Sequence, residues 1–177
     1  MPPRDPETVT FMSLLDKDPH DRLEQVEQEI VGLQPEDLLS RGLDALTKGD
    51  SLYALVCLER AARDISTPEL LSNLGFCLAK ERAQFERAIE LCSKAIEQQP
   101  ASTTFYLNLG RVHLMTGNKK LAIETYQEGL RHGDDPRIRE DLQLMGIRRR
   151  PLLKKLDREH PLNRSLGYLL RKRPPKK

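Results

Sequence analysis

Apolar and small residues in the middle of the chain recur at a spacing of 34 positions. Three sets share this spacing: Ala54, Ala88 and Ala122; Leu58, Cys92 and Tyr126; and Ala61, Ala95 and Gly129. Within each unit the three positions fall at i, i+4 and i+7, which is one face of a helix. Each unit is therefore predicted to contain an amphipathic helix whose small residues let a neighbouring backbone come close.

A second helical stretch precedes each of these helices and carries an internal glycine, namely Gly42, Gly75 and Gly110. Glycine inside a helix costs about 1 kcal/mol relative to alanine, so its recurrence indicates close packing by a partner helix. Gly49 and Gly117 are suited to end the first helix of units one and three. Asp50 and Asn118, which follow them, are suited to start the next helix. The predicted unit is helix, short turn, helix.

These residues resemble the tetratricopeptide repeat, whose first helix carries leucine-glycine and whose second carries alanines, an aromatic residue and a following proline. The third unit matches at Asn108-Leu109-Gly110, Gly117, Ala122, Tyr126 and Pro136. The middle unit matches at Leu74-Gly75, Ala88, Ala95 and Pro100, and a one-residue insertion near 81–84 explains its longer spacing from Gly75 to Ala88. The first unit departs from the pattern at Arg41 and Ser66.

The resemblance implies an all-α fold, a right-handed superhelical stack of antiparallel helix pairs with flanking helices. The predicted segments are an N-terminal helical flank (1–34), three repeats (35–67, 68–102 and 103–136), a C-terminal capping helix (137–146) and a basic tail (147–177). The flanking helix opens at Asp18-Pro19 and is predicted to run to about Val31. We expect it to cover the first repeat, because an open helical stack needs terminal covers, with a dimer seam as the alternative.

The charge of the chain is unevenly distributed, although its formal net charge is only +2. Residues 147–177 hold twelve Lys and Arg against two acidic residues, and residues 1–146 hold seventeen against twenty-five. The body is therefore acidic and the tail basic. No apolar run approaches the ~20 residues that span a bilayer. The first residues lack an apolar stretch followed by a small-residue cleavage site, so a cytoplasmic location is expected.

The sequence carries no motif typical of catalysis, and none typical of cofactor or metal binding. It lacks a glycine-rich phosphate loop, H-E-x-x-H and G-x-S-x-G. Cys57, Cys77 and Cys92 form no metal-binding spacing. His113 is expected to be a hydrogen-bonded core histidine, and Cys92 a buried, unreactive thiol. We therefore predict a protein that is not an enzyme and uses no cofactor or metal.

The resemblance implies that the first helices of the repeats line a concave groove that receives a peptide or helix of a partner protein. The groove positions, carried over by repeat register, are Leu39, Leu43, Ser72, Asn73, Phe76, Thr104, Leu107, Asn108 and Arg111. The two asparagines are expected to bond a ligand backbone, and Leu43, Phe76 and Leu107 to supply apolar pockets. The alternative is that some of these residues contact the flanking helices or the tail.

Co-chaperones of the resembled family clamp a C-terminal carboxylate with Lys, Asn and Arg residues. In this chain the matching positions hold Leu39, Leu43, Thr104 and Asn108, and only Asn73 agrees with the clamp. The sequence therefore disfavours such a clamp, and the acidic body disfavours an acidic peptide.

The basic tail permits a second class of function, binding to an anionic surface. The residues predicted for it are Arg148, Arg149, Arg150, Lys154, Lys155, Arg164, Arg171, Lys172 and Arg173. Their mixture with leucines and Tyr168 suits an anionic membrane surface, and it also permits nucleic acid. A third interpretation is that the tail folds back on the acidic body. The sequence thus predicts a protein-interaction adaptor, with a tail-mediated tethering protein as the alternative.

Overall fold

A computed structural model describes residues 19–146, and within this range every regular element is a helix. The helices are α1 (Pro19–Glu29), α2 (Pro35–Thr47), α3 (Ser51–Ala61), α4 (Pro68–Arg82), α5 (Phe85–Gln98), α6 (Thr103–Met115), α7 (Lys119–His132) and α8 (Pro136–Leu144). Helices α2 and α3, α4 and α5, and α6 and α7 pack as consecutive pairs, and α4 also packs beside α6. The predicted all-α stack of helix pairs is confirmed. None of the helices between residues 19 and 146 is both long enough and apolar enough to cross a membrane.

In the first and third pairs, the short turn starts the second helix with a side-chain cap. Asp50 accepts a hydrogen bond from the backbone N–H of Tyr53 at 3.0 Å. Asn118 accepts the equivalent bond from Leu121 at 3.2 Å. Each bond satisfies one of the N–H groups that a helix start leaves without a helical partner. Both predicted N-caps are therefore confirmed.

The turn of the middle pair differs from the other two. Gly49 and Gly117 adopt the left-handed conformation, with φ of +84° and +76°. In the middle pair Ala83 adopts it instead, with φ of +52°. Ala83 stands eight positions after Gly75, whereas the two turn glycines stand seven after theirs, and α4 has 15 residues where α2 has 13. The extra residue therefore lies at the end of α4, and it is accommodated by a strained non-glycine residue.

The glycines inside the first helices allow each pair to pack closely. A Cβ placed on Gly42 would lie 3.0 Å from Leu58, and one on Gly75 would lie 2.8 Å from the Cys92 sulfur. A Cβ on Gly110 would lie only 2.1 Å from the Tyr126 ring. The close packing predicted from the recurring glycines is thus confirmed in all three pairs.

The flanking helices contribute buried apolar residues to the stack. Val26 of α1 and Ile30, which directly follows α1, are buried in the same core cluster as Leu38 of α2. Helix α1 ends at Glu29 rather than at Val31, because the chain enters a turn that leads to Gly32 with φ of +77°. At the other end, the side chain of Ile138 in α8 is fully buried.

Candidate binding surface

Three of the predicted groove residues form a buried polar contact between α4 and α6, which we call the amide joint: Ser72, Asn73 and Asn108. All three are less than one tenth exposed. The Asn108 side-chain amide donates to the Ser72 hydroxyl at 3.0 Å and to the Asn73 side-chain oxygen at 3.2 Å. Asn73 in turn donates to the backbone oxygen of Glu69 at 2.8 Å. The two amides thus have partners within the chain and hold the second repeat against the third.

Four further predicted groove residues also contact the protein itself. Leu107 is only 1% exposed, and Leu39 and Leu43 are half-buried, with Leu39 packed against the first core cluster. The Thr104 hydroxyl accepts a hydrogen bond from the Arg137 guanidinium at 3.0 Å. That guanidinium also donates to Asp135 at 2.7 Å and keeps the pKa of the Asp135 carboxyl below its usual value. The assignment of these residues to ligand contact stays a prediction.

The two remaining groove residues, Phe76 and Arg111, line an open surface depression between α4 and α6. Its volume is about 560 Å³, within the ordinary range for ligand-binding clefts. The full lining of this α4–α6 depression is Phe76, Ala79, Lys80 and Ala83 from the end of α4, Phe85 from the start of α5, and Arg111 and Met115 from α6. The structure thus brings together Phe76 and Arg111 in a concave surface that no residue between 19 and 146 fills.

Sequence reasoning did not assign Lys80, Phe85 or Met115 to the site. Lys80 follows Phe76 by four positions, and Met115 follows Arg111 by four. Residues four apart are neighbours on a helix surface, so this spacing was an available signal. Phe85 belongs to the second helix of its pair, and a search restricted to first helices could not have found it.

Burial is the main cause of the pKa shifts of the three cysteine thiols and of His113. The three thiols are buried, and burial raises the pKa of Cys57 to about 11 and the pKa of both Cys77 and Cys92 to about 12. The Cys92 thiol also lies 3.4 Å from the backbone oxygen of Ser72, to which it donates. His113 is buried, and burial lowers its pKa. The predicted burial of Cys92 and His113 is confirmed, and the low reactivity of the Cys92 thiol stays a prediction.

The residues predicted to bind an anionic surface lie outside the described residues. That interpretation, and the alternative in which the tail folds back on the body, therefore both stay predictions. Among residues 19–146, no group of three His, Cys, Asp or Glu side chains is arranged to hold a metal ion.

The stacked helix pairs define a helical repeat fold, and comparisons with known proteins show which repeat it resembles. Residues 79–143 match the family model of the tetratricopeptide repeat. The tetratricopeptide repeat domain of Sgt2 from Aspergillus fumigatus has a similar structure, with a TM-score of 0.53 and 20% identity over 81% of this chain and 86% of that one. The predicted resemblance to the tetratricopeptide repeat is therefore confirmed, by the family model over residues 79–143 and by the fold of the similar structure. No curated protein matches it by sequence.

Two further similar structures contain bound peptides. The first tetratricopeptide repeat domain of Spaghetti (RPAP3), bound to the HSP90 peptide SRMEEVD, has a TM-score of 0.52 at 17% identity, over 64% of this chain and 93% of that one. The second such domain of human RPAP3, in complex with the HSP70 peptide SGPTIEEVD, has a TM-score of 0.50 at 19% identity, over 63% and 98%. At these identities the likeness establishes the fold alone.

Proposed function

We propose that this protein is a non-enzymatic adaptor that holds a peptide or helix of a partner protein on the face lined by α2, α4 and α6. The observation that carries the proposal is the open α4–α6 depression, which presents Phe76 and Met115 at the surface beside Lys80 and Arg111. Concave surfaces with apolar walls and a few polar groups are the usual form of binding sites. The peptide complexes of the two RPAP3 domains support the same use of this fold.

The experiment that tests the proposal is partner capture from the native cell, read by mass spectrometry. The test variant combines Phe76→Ala with Met115→Ala, since both residues line the depression. Its matched control is Leu121→Ala, because Leu121 is an exposed leucine of α7 outside the depression. We expect the double variant to lose proteins that the wild type and the control both retain, while its helical circular dichroism stays unchanged. Equal capture by the folded double variant would contradict the proposal.

The amide joint is left out of this test on purpose. Asn108 contacts Ser72 and Asn73 inside the protein, so its substitution changes the packing between repeats as well as any binding surface. A loss of partners in an Asn108 variant would therefore not distinguish a ligand contact from a disturbed fold.

The cytoplasm remains the proposed location.

A further inference from the structure

Five of the seven residues that line the α4–α6 depression are apolar. Phe76 and Phe85 are half-buried, and Met115 is 37% exposed. Ala79 and Ala83 add only methyl groups to the lining and leave room between the larger side chains. A bulky apolar side chain that enters this space removes both its own surface and that of the pocket from water, which is favourable at roughly 25 cal/mol per Å².

Both charged residues in the lining of the depression are cationic. Lys80 lies one helical turn after Phe76, and Arg111 lies one turn before Met115, so each cation stands beside a large apolar side chain. The lining contains no carboxylate. A partner that places acidic side chains next to its apolar anchor therefore complements the depression in charge as well as in shape.

The depression is positively charged, whereas residues 1–146 as a whole carry a negative net charge. Exposed charges act mainly within the Debye length, about 8 Å at physiological ionic strength. A segment that docks in the depression meets Lys80 and Arg111 directly, because both belong to its lining. They also oppose occupation by the basic tail of the same chain, because twelve Lys and Arg residues in the tail repel Lys80 and Arg111.

From this juxtaposition we infer that the α4–α6 depression selects a partner segment in which one bulky apolar side chain is flanked by acidic residues. The selection acts through side chains and needs no free C-terminal carboxylate. The polar residues elsewhere on the same face bond within the protein, Asn73 and Asn108 to each other and Thr104 to Arg137. The inference rests on the proposed function and specifies the chemistry of the partner at that site.

Three synthetic peptides with amidated C-termini test this selectivity on the full chain. The probe is fluorescein-Gly-Ser-Glu-Glu-Leu-Glu-Glu-Ser-Gly. In one comparison peptide lysines replace the glutamates, and in the other alanine replaces the leucine. Fluorescence polarisation at about 0.15 M salt is expected to show binding of the probe, and at least about tenfold weaker binding of each comparison peptide. Equal affinity for the acidic and basic peptides, or no binding of the probe, would overturn the inference.

Variants of the depression separate binding there from attraction of the acidic probe to the basic tail. Lys80→Glu is expected to weaken the probe about tenfold and to strengthen the lysine peptide. The control is Lys94→Glu, which reverses an exposed charge on α5 outside the depression and should change neither affinity. Probe affinity that is unchanged by both Lys80→Glu and Phe76→Ala would assign the binding to the tail and overturn the inference.

The two proposals fail in different ways. If the Phe76→Ala, Met115→Ala variant loses native partners but the peptides show no preference for acidic residues, the adaptor function stands and only the partner chemistry is wrong. If that variant keeps all native partners, the depression is not the docking site and the proposed function fails. A chain ending at Gly146 is also expected to bind the probe through the depression with the same dependence on Lys80, because every residue proposed to contact the probe lies between 76 and 115.

Discussion

The amide joint and the α4–α6 depression lie on the same two helices, yet one is closed and the other open. At the joint, Asn108 reaches across from α6 to Ser72 and Asn73 of α4, and all three are buried. From Phe76, three residues beyond Asn73, α4 instead lines the depression, with Lys80 one helical turn further on. The same two helices therefore serve two purposes at different positions, attachment of one repeat to the next and exposure to a partner.

The amide joint is closed and the depression is open because their side chains have different contacts. An asparagine amide that is buried needs hydrogen-bond partners, and each amide at the joint finds one across the helix interface. Phe76, Lys80 and Met115 border a space that no described side chain fills. Substitutions in the closed region should therefore change stability, whereas substitutions in the open region should change binding.

The largest loss of stability in the closed region is expected from Gly110→Ala. The added methyl group would lie 2.1 Å from the Tyr126 ring, a buried side chain without room to move. Overpacking of this kind costs about 3 kcal/mol, more than the ~1 kcal/mol that alanine gains in helix propensity. Urea unfolding measures the difference. The control is Gly42→Ala, whose methyl group meets Leu58 at 3.0 Å, and which should cost much less. Equal losses would contradict the graded packing of the repeats.

Asn108→Ala is expected to cost about 2 kcal/mol, because it leaves buried polar groups of Ser72 and Asn73 without their donor. A double-mutant cycle with Asn73→Ala isolates the contact, since the second substitution should cost less once the first is present. Strict additivity of the two losses in urea unfolding would show that the joint does not couple the repeats.

The buried thiols predict a dependence of stability on alkaline pH. Burial raises the pKa of Cys92 from 9.0 to about 12, so the unfolded chain loses this proton first as the pH rises. The contribution to stability is complete below pH 9 and is lost progressively as the pH rises toward 12. Between these limits Cys92→Ala should reduce the slope of unfolding free energy against pH by about 1.4 kcal/mol per unit. An unchanged slope, or rapid labelling of Cys92 by a thiol reagent in the native chain, would contradict its burial.

The smallest change is expected at the rim of the depression, where Ala83→Gly relieves the left-handed conformation. Alanine is strained at φ of +52°, and glycine is not, so the substitution should stabilise the chain by about 0.7 kcal/mol. The control is Ala62→Gly at the end of α3, where φ is −64° and glycine brings no relief. Thermal unfolding of both variants gives the comparison, and stabilisation by the control alone would be inconsistent with the turn geometry.

The fold could be predicted from the sequence because its signals are redundant. Small residues and internal glycines recur at one spacing, and each pair needs them for close packing, as Gly75 and Gly110 show. The insertion in the middle repeat was also detectable from the longer spacing between Gly75 and Ala88. The pattern predicts an end of α1 at about Val31, two residues beyond the observed end at Glu29, because apolar spacing continues into the turn at Ile30 and Val31.

The candidate site could be predicted only in part. Repeat register indicates which residues lie on the first helices, but not how far apart neighbouring helices stand. It therefore assigned Phe76 and Asn108 to one groove, although Phe76 borders open space and Asn108 is bonded within the protein. The depression also depends on Phe85 of a second helix, whose contribution requires the arrangement of three helices.

The central claim is that partners dock on the open depression and leave the amide joint closed. Titration of the unlabelled, amidated Glu-Glu-Leu-Glu-Glu peptide into the isotope-labelled full chain tests this directly by NMR. The account predicts that the methyl group of Met115 and the backbone amides of Phe76 and Lys80 shift progressively, while the side-chain amides of Asn73 and Asn108 keep their positions. Shifts of the two asparagine side chains without a change at Met115 would contradict the account.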